Sequence, residues 1–183
     1  FKNFCIIISM DKLFIYGIKH EEFLKIQEKI KTCKVYALDD TVLNDTVHEV
    51  VDVPYMLYHC EEKPNAFAIL ESNQSGSAWK FIIDGINKIP NCPKMIKVTV
   101  TNQNRKWPMH ILFEHVLQED QLFKYRYLLK DLMIESANMM KDHMSQEYQM
   151  VLTNAFSVYE NQEATLAQVK QAMDDLTVFV EKN

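Results

Sequence analysis

From Met109 to Asn183 the chain runs for 75 residues without a single glycine or proline. All three glycines (Gly17, Gly76, Gly85) and all five prolines (Pro54, Pro64, Pro90, Pro93, Pro108) come earlier. These are the two residue types that most strongly interrupt a helix, so their absence predicts a long helical segment after Pro108. The charges divide at the same place. Residues 109–183 hold six bases against twelve acids, a net of −6 within a whole-chain net charge of −5, which leaves the first 108 residues near neutral. The expected class is α+β: a β-rich head over residues 1–113, followed by a helical stalk over residues 114–183.

The head reads as a small, mainly antiparallel sheet with inserted helices. Phe4 to Met10 is a β-rich run, Asp11-Lys12 offers a turn, and Leu13 to Tyr16 resumes the strand as a hairpin. His20 to Lys31 has helical spacing, with Phe23, Ile26 and Ile30 on one face. A second helix is expected from about Leu43 to His59, punctuated by Pro54. Further strands are expected at Ala66–Leu70, Trp79–Ile83 and Met95–Val100. In the last of these Ile96, Val98 and Val100 alternate with Lys97 and Thr99. A polar turn at 102–106 then lets Trp107 to Phe113 return antiparallel.

In the stalk, Tyr148, Leu152, Ala155, Tyr159, Gln162, Leu166, Val169, Met173, Leu176 and Val180 step by alternating fours and threes, the spacing of a coiled-coil seam. Leu129, Met133, Ala137, Met140 and Met144 continue it upstream with a stutter. An unbroken helix of this length would be about 110 Å long. It cannot bury its own apolar stripe, so it must dimerise or fold back on itself. Thr153-Asn154 and Asn161-Gln162 are the weak points for a fold-back. The expected dimer contacts are Leu129, Met133, Met140, Met144, Tyr148, Leu152, Tyr159, Leu166, Val169, Met173 and Leu176.

Chemistry-bearing motifs are sparse. The four cysteines (Cys5, Cys33, Cys60, Cys92) form no close pair and read as reduced, mostly buried thiols. Six histidines are scattered; His59-Cys60-Glu61-Glu62 is the densest run of possible metal ligands, but adjacent residues point apart and seldom close a site. There is no nucleophile elbow, phosphate-binding loop or zinc-protease motif. No catalytic, metal or cofactor residue is therefore assigned, and a non-enzymatic protein is expected. The acidic balance argues against nucleic-acid binding by the whole surface, with Lys94, Lys97, Arg105 and Lys106 the one local basic group. The longest apolar run is strand-sized, too short for a membrane span. Trp107-Pro108 stands out as a possible anchor at a hairpin end, since tryptophan is enriched among interface hot spots.

A β head followed directly by a long helix resembles the head-plus-coil superfamily of end-joining scaffolds and centriolar proteins. The stretch Trp107-Pro108-Met109-His110-Ile111-Leu112-Phe113, followed by Tyr127-Leu128-Leu129-Lys130-Asp131-Leu132-Met133-Ile134-Glu135-Ser136, is similar to the XLF (Cernunnos) branch. Ile96 to Val100 looks like the partner strand, and Asp52-Val53-Pro54 resembles the segment after the family's inserted helix. The resemblance implies a nuclear homodimer that bridges DNA ends in non-homologous end joining, docking on the XRCC-type ligase-IV scaffold and working with Ku. It implies partner contacts at Trp107, Pro108, Val50 and Val51, and only weak direct DNA binding within these residues. Trp107 stands where the family has a leucine, and the family's basic tail has no counterpart here. The alternatives are a centriolar or cytoskeletal assembly protein of the same plan, and a small enzyme with a site on the head.

Overall fold

The computed structural model describes residues 11–52, 59–141 and 145–182. The Phe4–Met10 strand, Cys5, Pro54, His143 and Met144 therefore lie outside the described residues. The chain divides into two units, Phe1–Val116 and Leu117–Asn183.

The first unit is built from four strands, β1 (Lys12–Tyr16), β2 (Lys34–Leu38), β3 (Phe67–Glu71) and β4 (Ile96–Thr99), in the spatial order β2-β1-β3-β4. Its helices are α1 (His20–Lys29), α2 (Val47–Asp52), α3 (Ser75–Ile86) and the beginning of α4 (Met109–Met139). The sheet is mixed. β1 pairs with β2 and β3 pairs with β4 in parallel, while only the central β1–β3 pair is antiparallel. This corrects the mainly antiparallel head. The reason is that α1 and α3 are crossovers, each joining two parallel neighbours, which a tight turn cannot do.

Two local expectations change with it. Trp79–Ile83 lies inside α3, where Ala78, Trp79, Ile82 and Ile86 follow helical spacing and pack on the sheet. Trp107–Phe113 is not a returning strand. Pro108 makes a single bridge to Thr46 and then leads into α4, at whose entrance a missing N–H costs nothing. β1, α1, β3 and β4 fall where expected, with Phe23, Ile26 and Ile30 buried and Lys97 exposed between half-buried Ile96 and buried Val98.

Both faces of the sheet are covered. Phe14, Tyr16, Leu38, Phe67, Ile69 and Val98 face α2 and the first two turns of α4, through Val47, Val50, Val51, Met109, Leu112 and Phe113. Leu13, Ile15, Val35, Ala37, Ala68 and Leu70 face α1 and α3. Strands buried on both sides read as continuous apolar runs, as Leu13-Phe14-Ile15-Tyr16 and Phe67-Ala68-Ile69-Leu70 do.

The element order also repeats. Each half is strand, crossover helix, parallel strand, a 3-10 turn (Asp40–Val42, then Asn104–Lys106) and a further helix. The halves meet along β1–β3 and again where the entrances of α2 and α4 bond each other. There the Val47 N–H donates to the Trp107 carbonyl and the Met109 N–H to the Asp45 carbonyl. Polar side chains close equivalent ends. In one half Tyr16 Oη donates to Asp40 (2.6 Å), which also holds Lys63 (2.6 Å). In the other, Arg105 bridges Glu71 (2.6 Å) and Asp52 (3.3 Å). Gly17, at the end of β1, has φ +84°, and a Cβ there would stand 2.4 Å from the Asn65 carbonyl oxygen, so only glycine fits.

The second unit contains the rest of α4, α5 (Gln146–Glu160) and α6 (Leu166–Lys182). The single long helix is thus three helices, and the alternative of folding back is the one taken. Ser145 starts α5 by accepting the Tyr148 N–H. Asn161 follows α5, its side chain accepting the Glu163 N–H. Thr165 and Gln168 then cap α6 reciprocally. Thr153-Asn154, the other weak point, lies within α5.

Candidate docking groove

The residues assigned to a dimer seam form the core of the helical unit itself. Leu129, Met133, Met140, Tyr148, Val169 and Leu176 are buried together, with Leu152, Tyr159 and Met173 packed against them and Leu166 half-buried. Heptad spacing records only that a helix has a partner, and here the partner is another helix of the same chain. Among the described residues, Ser136 is the buried polar side chain of this core, and it is bonded as donor and as acceptor. Its hydroxyl donates to the Met133 carbonyl and accepts from Tyr148 Oη (3.0 Å). That pair ties α4 to α5.

The residues assigned to a partner's head differ in burial. Val50 and Val51 are 2% and 1% exposed and pack under the sheet, so they offer no surface. Trp107 is half-buried against the same core, with His115 edge-on to its ring at 5.0 Å, and its backbone is bonded to Val47 and Asn104. Pro108 is half-buried beside it. Of the basic group, Lys94, Lys97 and Lys106 are exposed, but the guanidinium of Arg105 is held between Glu71 and Asp52.

The run from His59 to Glu62 disperses. Cys60 is buried, its thiol donating to the Ile15 carbonyl, and burial pushes its pKa up to about 11. Burial does the same to Cys33 (about 11) and raises Cys92. His59 stacks on His20, Glu61 pairs with Lys63 and Glu62 with Lys19. Thiols raised this far carry little thiolate at neutral pH and are poor nucleophiles. Among the described residues no group of three metal-ligating side chains converges, and no helix is long and apolar enough to cross a membrane.

What does form a site is a groove of about 510 Å³ between α4 and α5. Met133, Ile134 and Ala137 line it from α4, and Leu152, Phe156 and Tyr159 from α5; Lys130 and Thr153 stand in the same walls. Ile134 and Phe156 remain 54% and 57% exposed. A concave surface with this lining recognises apolar side chains by shape, with Lys130 supplying one charge to orient a ligand. Sequence reasoning missed Ile134 and Phe156 as surface residues. The available signal was a second stripe on α4: beside Leu122, Leu129, Met133 and Met140 runs Phe123, Tyr127, Lys130, Ile134 and Ala137, also at four-three spacing. One neighbouring helix pair cannot cover both.

Comparison with known proteins gives no match, whether to family models, curated proteins or solved structures.

Proposed function

We propose that the chain is a non-enzymatic assembly protein whose helical unit docks an apolar segment of a partner in the α4–α5 groove. The observation that carries this reading is the groove itself: large aromatic and aliphatic side chains kept half in water although the unit has a complete core beneath them. Exposed apolar surface of this kind is characteristic of binding sites. Amphipathic helices are the usual occupants of such grooves between helices. Fluorescence titration with the apolar dye 1-anilinonaphthalene-8-sulfonate tests it. The intact chain should bind the dye, and Phe156→Arg should abolish binding without lowering the melting temperature. Equal dye binding by both proteins would refute the reading.

The end-joining role is a narrower form of the same proposal. Its support is the order of parts and the similarity of the Tyr127–Ser136 segment, now without Val50 and Val51 as docking residues. In that form the groove would serve the ligase-IV scaffold or Ku in the nucleus, and Lys94, Lys97 and Lys106 would give weak, salt-sensitive DNA contact. Pull-down of purified Ku and ligase-IV scaffold protein by the intact chain, lost on Phe156→Arg, is the expected outcome. Capture of neither would leave the groove with another partner.

A further inference from the structure

We infer that the occupant of the α4–α5 groove is an acidic amphipathic helix, with three apolar anchors at i, i+4 and i+7 and a carboxylate beside the anchor nearest Lys130 and Tyr159. This rests on the docking reading above and names the partner's chemistry. The Ser136–Tyr148 and Arg126–Asn161 bonds set α4 and α5 antiparallel. The groove therefore runs from Ala137 and Leu152 at one end, past Met133, Ile134 and Phe156, to Lys130 and Tyr159 at the other. Each wall spans two turns, from 130 to 137 and from 152 to 159, about 10 Å at 1.5 Å per residue. A helix laid along the groove presents three anchors over the same length, since i and i+7 are also two turns apart.

The polar groups of the lining select the partner's charge. Thr153 already donates its hydroxyl to the Gln149 carbonyl (2.7 Å). Among the described residues, Lys130 forms no ion pair and the Tyr159 hydroxyl no hydrogen bond. Two uncommitted donors, one of them charged, thus stand toward the same end of an otherwise apolar groove, where a carboxylate can accept from both. The surrounding stripe has the same sign. On α4 the groove-side positions step Arg126, Lys130, Ile134, Ala137 and on to Lys141, while Asp131 and Glu135 fall away from that stripe. On α5, Gln149, Thr153 and Phe156 are uncharged, and the first acid of their stripe is the helix's last residue, Glu160. The helical unit is acidic as a whole, but charges more than about 8 Å apart are screened at physiological ionic strength. The side chains lining the groove therefore decide.

Fluorescence anisotropy of the intact chain with two labelled alanine-based peptides tests this. Both carry leucine at i, i+4 and i+7; one has glutamate and the other lysine at the flanking positions. The chain should bind the glutamate peptide about threefold to fivefold tighter, the range of an exposed ion pair. General attraction to an acidic surface would give the reverse order. Lys130→Glu should invert the preference, and Tyr159→Phe should weaken glutamate-peptide binding about threefold. Phe156→Arg should abolish binding of both peptides. Circular dichroism melts of Lys130→Glu and wild type should coincide, because Lys130 is exposed. Failure of both peptides to bind, equal affinities, a preference for lysine, or a preference unchanged by Lys130→Glu would each overturn the inference. Where the dye or either peptide still binds in a Phe156-dependent way, the docking reading stands without the acidic partner. Glutamate-peptide binding that ignores Phe156→Arg would overturn both.

Discussion

Two neighbouring pairs of residues show how differently the two units treat apolar sequence. In β3, Ile69 and Leu70 point to opposite faces of the sheet, and both are buried, at 1% and 0% exposure. In α4, Met133 and Ile134 also point apart, but the first is buried at 8% and the second is 54% exposed. A sheet with helices on both faces uses every apolar position in its strands. Three helices around one core use one stripe of each, and α4 carries two. The lesson is that apolar residues are structural in the first unit and divided between structure and surface in the second. Binding is therefore sought where hydrophobicity exceeds what the fold can bury.

The sharpest way to break this comparison is to truncate the same residue type in both units. Ile69→Ala should cost about 3–4 kcal/mol by urea unfolding, because its cavity sits between packed layers. Ile134→Ala should cost less than about 1 kcal/mol, as expected for an exposed position, while weakening dye binding. Equal losses would erase the distinction. Trp107 tests its boundary. Half-buried over the first unit's core, Trp107→Ala should lower stability by about 2 kcal/mol, seen as a reduced urea midpoint. An unchanged midpoint would return Trp107 to the surface as an anchor. Within the helical unit, Thr165→Ala removes the reciprocal cap of α6 and should cost about 1 kcal/mol, read as a lower melting temperature.

The smallest effect is at Asp40, which is half-exposed. The Lys63 ammonium and then the Tyr16 hydroxyl hold its pKa below the usual carboxylate value, while burial and the Asp40 hydrogen bond push Tyr16 up to about 12. A depressed carboxylate stabilises the fold above its unfolded pKa, and that contribution is lost as pH falls through the depressed value. Asp40→Asn should cost under about 1 kcal/mol at pH 7, given solvent screening, and should make the acid-side loss of stability shallower. A steeper acid limb in the variant would contradict the assignment.

Much of this division was legible. The absence of breakers after Pro108 marks the helical region, and strand alternation at Ile96–Val100 and helical spacing at Phe23, Ile26 and Ile30 hold in the structure. Strand direction was not legible, because a buried parallel strand and a buried antiparallel one have the same apolar run. Trp79–Ile83 shows the related ambiguity: five apolar-rich residues fit a strand as well as one face of a helix, and only the crossover geometry decides. The stops between α4, α5 and α6 depend on Ser145, Asn161 and the Thr165–Gln168 box, whose polar side chains replace glycine and proline as punctuation. The repeat of the two sheet halves is topological; Leu13-Phe14-Ile15-Tyr16 and Phe67-Ala68-Ile69-Leu70 share burial rather than identity. Partner contacts were the least legible, because heptad spacing and a Trp-Pro pair describe packing without saying which chain supplies the other side.

The most direct test of the central claim is a paired measurement on the double variant carrying Ile134→Arg and Phe156→Arg: thermal unfolding by circular dichroism, and binding of 1-anilinonaphthalene-8-sulfonate. If the outer face of the helical unit is a docking surface beyond the fold's needs, the melting temperature should stay within about 2 °C of wild type while dye binding is lost. A melting temperature lowered as far as that of Ile69→Ala, or dye binding retained at wild-type strength, would show that these side chains serve the core or nothing at all.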